Sequence, residues 1–162
     1  MTTAGPTIRR ATREDLPRIG ALGALLVETH HAFDPQRFLG ATRGTLHGYA
    51  SFIGSQLDEP DAAIFVAEQS AEVLGYAYVA LESYDYMSLR GPAGILHDII
   101  VDPASRGRGV GRLLLDAVLA YLKSRGVPQV VLSTAVKNEA AQRLFASCGF
   151  RSTMIEMTRE LD

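Results

Sequence analysis

The chain has 162 residues, 47% of them hydrophobic and 21% charged, with a formal net charge of −2. That size and balance describe one ordinary globular domain spanning 1–162, and they exclude a disordered tail or a strongly basic nucleic-acid surface. A single cysteine, Cys148, excludes an internal disulfide and a cysteine-rich zinc site, and no stretch of about 18 apolar residues occurs, so a cytoplasmic protein without membrane span or export signal is expected.

Thr7–Ala11 alternates as a short strand, and Thr12 with Asp15 opens a helix reaching about Glu28. His30–Gly40, with Pro35, reads as a loop before a second helix over Thr42–Leu57 that Asp58-Glu59-Pro60 ends. Ala63–Ala67 and Val73–Leu81 flank a polar turn at Ser70, which predicts an antiparallel hairpin. Gly94–Val101 is apolar on both faces except at His97 and Asp98, the pattern of a central strand covered on both sides. A helix follows Gly107–Gly111, with Leu114, Val118, Tyr121 and Leu122 at helical spacing. Val130–Ser133 is the next strand. Asn138 caps a last helix with Ala141, Leu144, Phe145 and Cys148 on one stripe, and Gly149 ends it before a final strand near Ser152–Met157. This order, βαα-βββ-αβ-αβ, predicts an α/β domain with a mixed sheet flanked by helices.

The best-marked junction is Arg106-Gly107-Arg108-Gly109-Val110-Gly111-Arg112, between a buried strand and a helix. Free N–H groups and the helix dipole favour an anion there, and glycines let a phosphate approach closely. Arg106, Arg108 and Arg112 supply forked donors; all 16 basic residues except Lys123 and Lys137 are arginines. Counted from Gly107, a dinucleotide fingerprint needs glycine where Arg112 stands, and no G-x-x-x-x-G-K-[ST] run exists. Pyrophosphate remains as the natural guest, in neither a Rossmann nor a Walker setting.

Arg106-x-x-Gly109-x-Gly111 resembles the [QR]-x-x-G-x-[GA] signature of the GNAT superfamily of acetyl-CoA-dependent N-acetyltransferases. Val101-Asp102-Pro103, Asn138-Glu139-Ala140-Ala141 and Leu144-Phe145…Gly149-Phe150 are similar to that family in order and spacing, as is Ile8–Thr12 with Asp15-Leu16 near the start. The resemblance implies a mixed, mostly antiparallel sheet of six to seven strands with about four helices. It also implies acetyl-CoA as donor and coenzyme A as product. Backbone N–H groups of Arg108 to Arg112, Val110 included, would cradle the pyrophosphate, and Ile99, Ile100 and Val101 would line the thioester and pantetheine arm. Asn138 reads either as an N-cap that needs no ligand or, as the resemblance implies, as a side chain near that arm. Homodimers occur by analogy with the family.

An ammonium acceptor must lose a proton before attacking a thioester. His97 occupies the position of a proposed glutamate base in the polyamine and thialysine branch, and Asp98 either orients His97 or binds the ammonium. The family's usual tyrosine acid is Phe145 here, a core residue that donates no proton. Glu82, Tyr84 and Tyr86 lie near or in the loop before the fourth strand and suit a cationic amine through ionic and cation–π contacts. His30, His31, Asp34 and His47 share no tight ligand spacing, so no metal is expected. The expected activity is acetyl transfer to a primary amine of a small molecule or peptide in a ternary complex. A noncatalytic acyl-CoA sensor and a hydroxyl-directed transferase are the rivals.

Overall fold

A computed structural model describes residues 4–162. In chain order its elements are β1 (Thr7–Arg10), α1 (Leu16–Phe33), α2 (Thr45–Gln56), β2 (Ala62–Gln69), β3 (Glu72–Glu82), β4 (Ala93–Val101), α3 (Val110–Ser124), β5 (Val130–Leu132) and α4 (Glu139–Ser147). Short 3₁₀ turns precede α1 at Arg13–Asp15 and follow β4 at Pro103–Ser105. The sheet runs β1-β2-β3-β4-β5; the first three pairings are antiparallel and β4–β5 is parallel. No helix among the described residues is long and apolar enough to cross a membrane.

Each face of the sheet has its own core. On one, Leu114, Leu115, Val118 and Leu122 of α3 and Phe145 of α4 pack against Ala77, Val79 and Leu96. On the other, Ile19 and Leu22 of α1 and Ile53 of α2 cover Ile64, Val66, Tyr76 and Ile100. Each such fully buried side chain contributes about 1.5–3 kcal/mol of transfer free energy. The helices α1 and α2 approach closely because Gly20 and Gly23 face Leu46 and Tyr49, where a Cβ on Gly23 would lie 2.2 Å from the Tyr49 ring. An ion pair closes the N-terminal corner, with Asp15 accepting from Arg9 at 2.8 and 2.9 Å and from the Thr12 N–H at 2.8 Å.

The structure corrects the expected strand number: among the described residues there are five strands, not six to seven. The missing one is Ser152–Met157, which forms no strand because its backbone meets no partner among the described residues. The expected end of α1 is also too early. The helix continues through His30 and His31 to Phe33, and stops one residue short of the position that Pro35 bars from helical geometry.

Candidate active site

The site is built on a fault in the β3–β4 ladder. Tyr78 pairs with Asp98 and Val79 with Leu96, so His97 is an extra residue on β4. Without the bulge, strand alternation would place His97 and Asp98 on opposite faces. With it, Leu96 belongs to the core under α3, whereas Asp98 meets Tyr76 and His97 stacks on Tyr78 on the α1–α2 face, ring centroids 5.0 Å apart. The two polar residues singled out in the sequence therefore come together.

Asp98 is the more enclosed. The Tyr76 hydroxyl donates to its Oδ2 at 2.9 Å. Burial raises its carboxyl above the usual range, and the Tyr76 hydroxyl and the charges of His97 and His30 only partly offset this. Burial, with the Asp98 charge second, also pushes the Tyr49 and Tyr76 hydroxyls above their ordinary values. His30 Nδ1 donates to the Leu26 carbonyl at 2.9 Å, which makes Nδ1 its protonated nitrogen. Sequence reading missed Tyr49, Tyr76 and His30, since each reaches Asp98 from a different element.

His97 is more open, and its Nε2 stands 3.6 Å from Glu82 Oε1. The other Glu82 oxygen accepts from Arg90 Nη2 at 2.7 Å. Glu82 thus joins the site on the His97 side. Tyr84 and Tyr86 do not: they stack on each other, 65% and 77% exposed, at the tip of the β3–β4 hairpin. No hydrogen bond or ring stack links them to His97 or Asp98.

Past the bulge, the sheet opens. The strands β4 and β5 pair only over Gly94–Leu96 with Val130–Leu132. The Asp102 N–H donates to the Leu74 carbonyl at 2.8 Å. Antiparallel alternation from that bond turns the backbone groups of Ile100 and Asp98 toward β3, and those of Ile99 and Val101 toward the opening. Arg106 Nε donates to the Val101 carbonyl at 3.1 Å, leaving the Val101 N–H free. The side chains divide otherwise, with Ile100 in the core under α1 and α2 and Ile99 and Val101 against the core under α3.

The glycine turn stands beside this opening. Gly107 and Gly109 take φ of 73° and 80°, a left-handed geometry in which a side chain is strained. Gly109 is the N-cap of α3, and Val110 is driven into the core at 1% exposure, which fixes the helix start. Among the described residues the N–H groups of Gly107, Arg108, Gly109, Val110, Gly111 and Arg112 find no acceptor within the chain. Six adjacent free donors on a helix N-terminus form an anion cradle. The guanidiniums are less free: Arg108 Nη2 donates to Gln69 at 2.6 Å and Arg112 Nε to Asp116 at 3.3 Å. Asn138 Oδ1 accepts from the Ala141 N–H at 3.2 Å, as an N-cap does. Phe145 is 6% exposed and packs on Phe150, so it is a core residue without a proton to give.

A mixed sheet that parts between two parallel strands, with an anion-seeking glycine turn at the opening, is the architecture of an acyltransferase domain. The chain belongs to the acetyltransferase (GNAT) family, whose model matches residues 24–150. A mycothiol acetyltransferase of Thermobispora bispora is 36% identical over 96 residues, 59% of this chain and 32% of the relative, so the chain spans about a third of that relative's length. An aminoglycoside N(6')-acetyltransferase type 1 of Stenotrophomonas maltophilia is 30% identical over 156 residues, 94% of this chain and 91% of the relative. Among solved structures, a mutant protein from Bacillus halodurans superposes with TM-score 0.85 at 23% identity, covering 96% of this chain and 99% of that one. An aminoglycoside N-acetyltransferase in complex with CoA does so with TM-score 0.74 at 20% identity, covering 99% of each chain. These two likenesses establish the fold.

Proposed function

We propose that the chain transfers an acetyl group from acetyl-CoA directly to a primary amine of a small molecule. The carrying observation is the placement of three groups around one opening: free N–H groups at residues 107–112, outward backbone groups of Ile99 and Val101, and His97 beside Asp98. The N–H groups of Arg108 to Arg112 would hold the pyrophosphate, with Arg106, Arg108 and Arg112 as outer charges, and Ile99–Val101 with Asn138 would line the pantetheine arm. The relatives named for mycothiol and aminoglycosides support a small amine over a peptide.

Asp98 holds the ammonium, and Glu82 adds negative charge beside His97. His97 takes one ammonium proton, directly or through water. The amine lone pair then forms a bond to the thioester carbonyl carbon, and the Val101 N–H stabilises the oxyanion. Collapse breaks the C–S bond and releases coenzyme A as a thiolate; the nitrogen passes its second surplus proton through water to that thiolate, because Phe145 offers none, and His97 returns its proton to solvent.

Thiol release from acetyl-CoA, followed over a panel of aminoglycosides, amino sugars and diamines with product mass, tests the reading. The expected result is release with at least one amine and a product heavier by one acetyl group. Binding of acetyl-CoA without release for any amine supports the sensor instead, and a hydroxyl product supports the ester-forming rival.

A further inference from the structure

We propose that Tyr78 is the positioning residue for His97 and is itself held by the C-terminal end of α2, a proposal that rests on the acetyl-transfer reading above. A general base works when a third group fixes its orientation, usually through a hydrogen bond to its other nitrogen. His97 has no such bond. Glu82 Oε1 stands 3.6 Å from its Nε2, past hydrogen-bond reach, and among the described residues neither ring nitrogen has a closer polar partner. What holds the imidazole is a ring face. Tyr78 stacks on it with centroids 5.0 Å apart and planes 23° from parallel. The bulge makes this contact possible, since Tyr78 pairs with Asp98 and the extra residue His97 lies beside that pair.

Tyr78 is fixed in turn from α2. It is buried, its hydroxyl donates to Gln56 Oε1 at 3.0 Å, and Phe52 meets its ring edge-on, 5.9 Å between centroids. Gln56 is the last residue of α2, and its Nε2 donates to Ser55 Oγ at 3.2 Å, which leaves Oε1 for the tyrosine. Ser55 Oγ closes the chain by donating to the Phe52 carbonyl at 2.6 Å. Burial, ahead of the charges of Asp98, Glu82 and Glu59, raises the Tyr78 hydroxyl above its ordinary value, so it keeps its proton and acts as the donor. With that proton committed to Gln56, Tyr78 does not supply the acid that Phe145 lacks. Its contribution is the plane of its ring. A helix of the acceptor side thus sets the direction of the imidazole lone pair through one tyrosine, and a base oriented in advance does not have to be ordered at each turnover.

Steady-state rates of Tyr78→Phe, Tyr78→Leu and Gln56→Leu, each alone and combined with His97→Ala, test the assignment. Tyr78→Leu removes the stack and nothing beside the donor, so kcat should fall about 10- to 100-fold with the acetyl-CoA KM within about twofold of the parent. Tyr78→Phe keeps the stack and Gln56→Leu only loosens it, so each should lose about two- to fivefold. On the His97→Ala background none of the three should cost anything further, as expected of groups that act through one another. An unchanged kcat in Tyr78→Leu, an equal loss with and without His97, or a loss in Tyr78→Phe as large as in Tyr78→Leu overturns the proposal. A parent chain that releases no thiol with any amine overturns the acetyl-transfer reading instead, and the positioning of His97 is then decided by proton NMR. The stack puts the His97 ring protons over a tyrosine face, so their signals, identified by their loss in His97→Ala, should lie upfield and return downfield in Tyr78→Leu. His97 signals at ordinary positions in the parent overturn the proposal, whether or not a variant folds or turns over.

Discussion

Asp98 is a carboxylate kept in a place that disfavours its charge. Because its folded pKa is raised, the folded chain holds the proton to higher pH than the unfolded chain does. Stability contributed by this group is therefore greatest below the ordinary carboxylate pKa and falls as pH rises from there through the raised value. Asp98→Asn keeps an acceptor for the Tyr76 hydroxyl and removes the charge. It should melt above the parent at neutral pH, converge with it below about pH 4, and raise the amine KM about 10- to 100-fold through loss of a charge-assisted contact. A variant that melts lower at neutral pH would show that the site holds the charge without strain. Asp15 has the opposite sign, since the Arg9 guanidinium holds its carboxyl below the usual range. Its contribution is present above the ordinary carboxylate pKa and lost as pH falls through the lowered one. Denaturant titration of Asp15→Asn should show about 2 kcal/mol of lost stability at neutral pH and a smaller difference in acid. For His97→Ala, the rate of acetyl transfer should fall about 100-fold and the pH profile should change shape. An unaltered rate and profile would remove His97 from the chemistry.

At the scale of elements, the site depends on where β4 stops pairing and where α3 starts. Gly109→Ala meets no atom within 4 Å but must adopt φ near 80°, so its effect is backbone strain of about 1–2 kcal/mol. The variant should melt about 2–8 °C lower and bind acetyl-CoA more weakly, read by thermal unfolding and calorimetry together. A melting shift with unchanged affinity would free the turn from any phosphate role. The turn is legible in the sequence because its chemistry is local: glycines, arginines and a helix start within seven residues. His97 and Asp98 are legible as two polar residues interrupting an apolar strand. That they share a face is not, because the bulge exists only in the register between β3 and β4. Tyr49 is equally hidden, since it reaches the Asp98 side only because Gly23 lets α2 close onto α1. Ser152–Met157 has the composition of a strand, but strands exist only as pairs, and among the described residues its backbone meets no partner.

Over the whole molecule, the proposed donor and acceptor regions lie on the two faces of one sheet, and β4 connects them. Residues 107–112 and α3 lie with the core that includes Leu114 and Phe145, while Asp98 lies with Tyr76 under α1 and α2. In the proposed reaction, amine and thioester would meet along β4 beyond Leu96, where β5 no longer pairs with it. The most direct measurement of this arrangement is thermal unfolding with and without acetyl-CoA, with NAD and ATP as controls. Acetyl-CoA at a hundred times its dissociation constant should stabilise the native state by about 2.7 kcal/mol, or about 5–10 °C for a chain of this length. A shift of that size with acetyl-CoA and not with the controls is the predicted result; no shift at millimolar acetyl-CoA would contradict the donor site and the transfer reaction built on it.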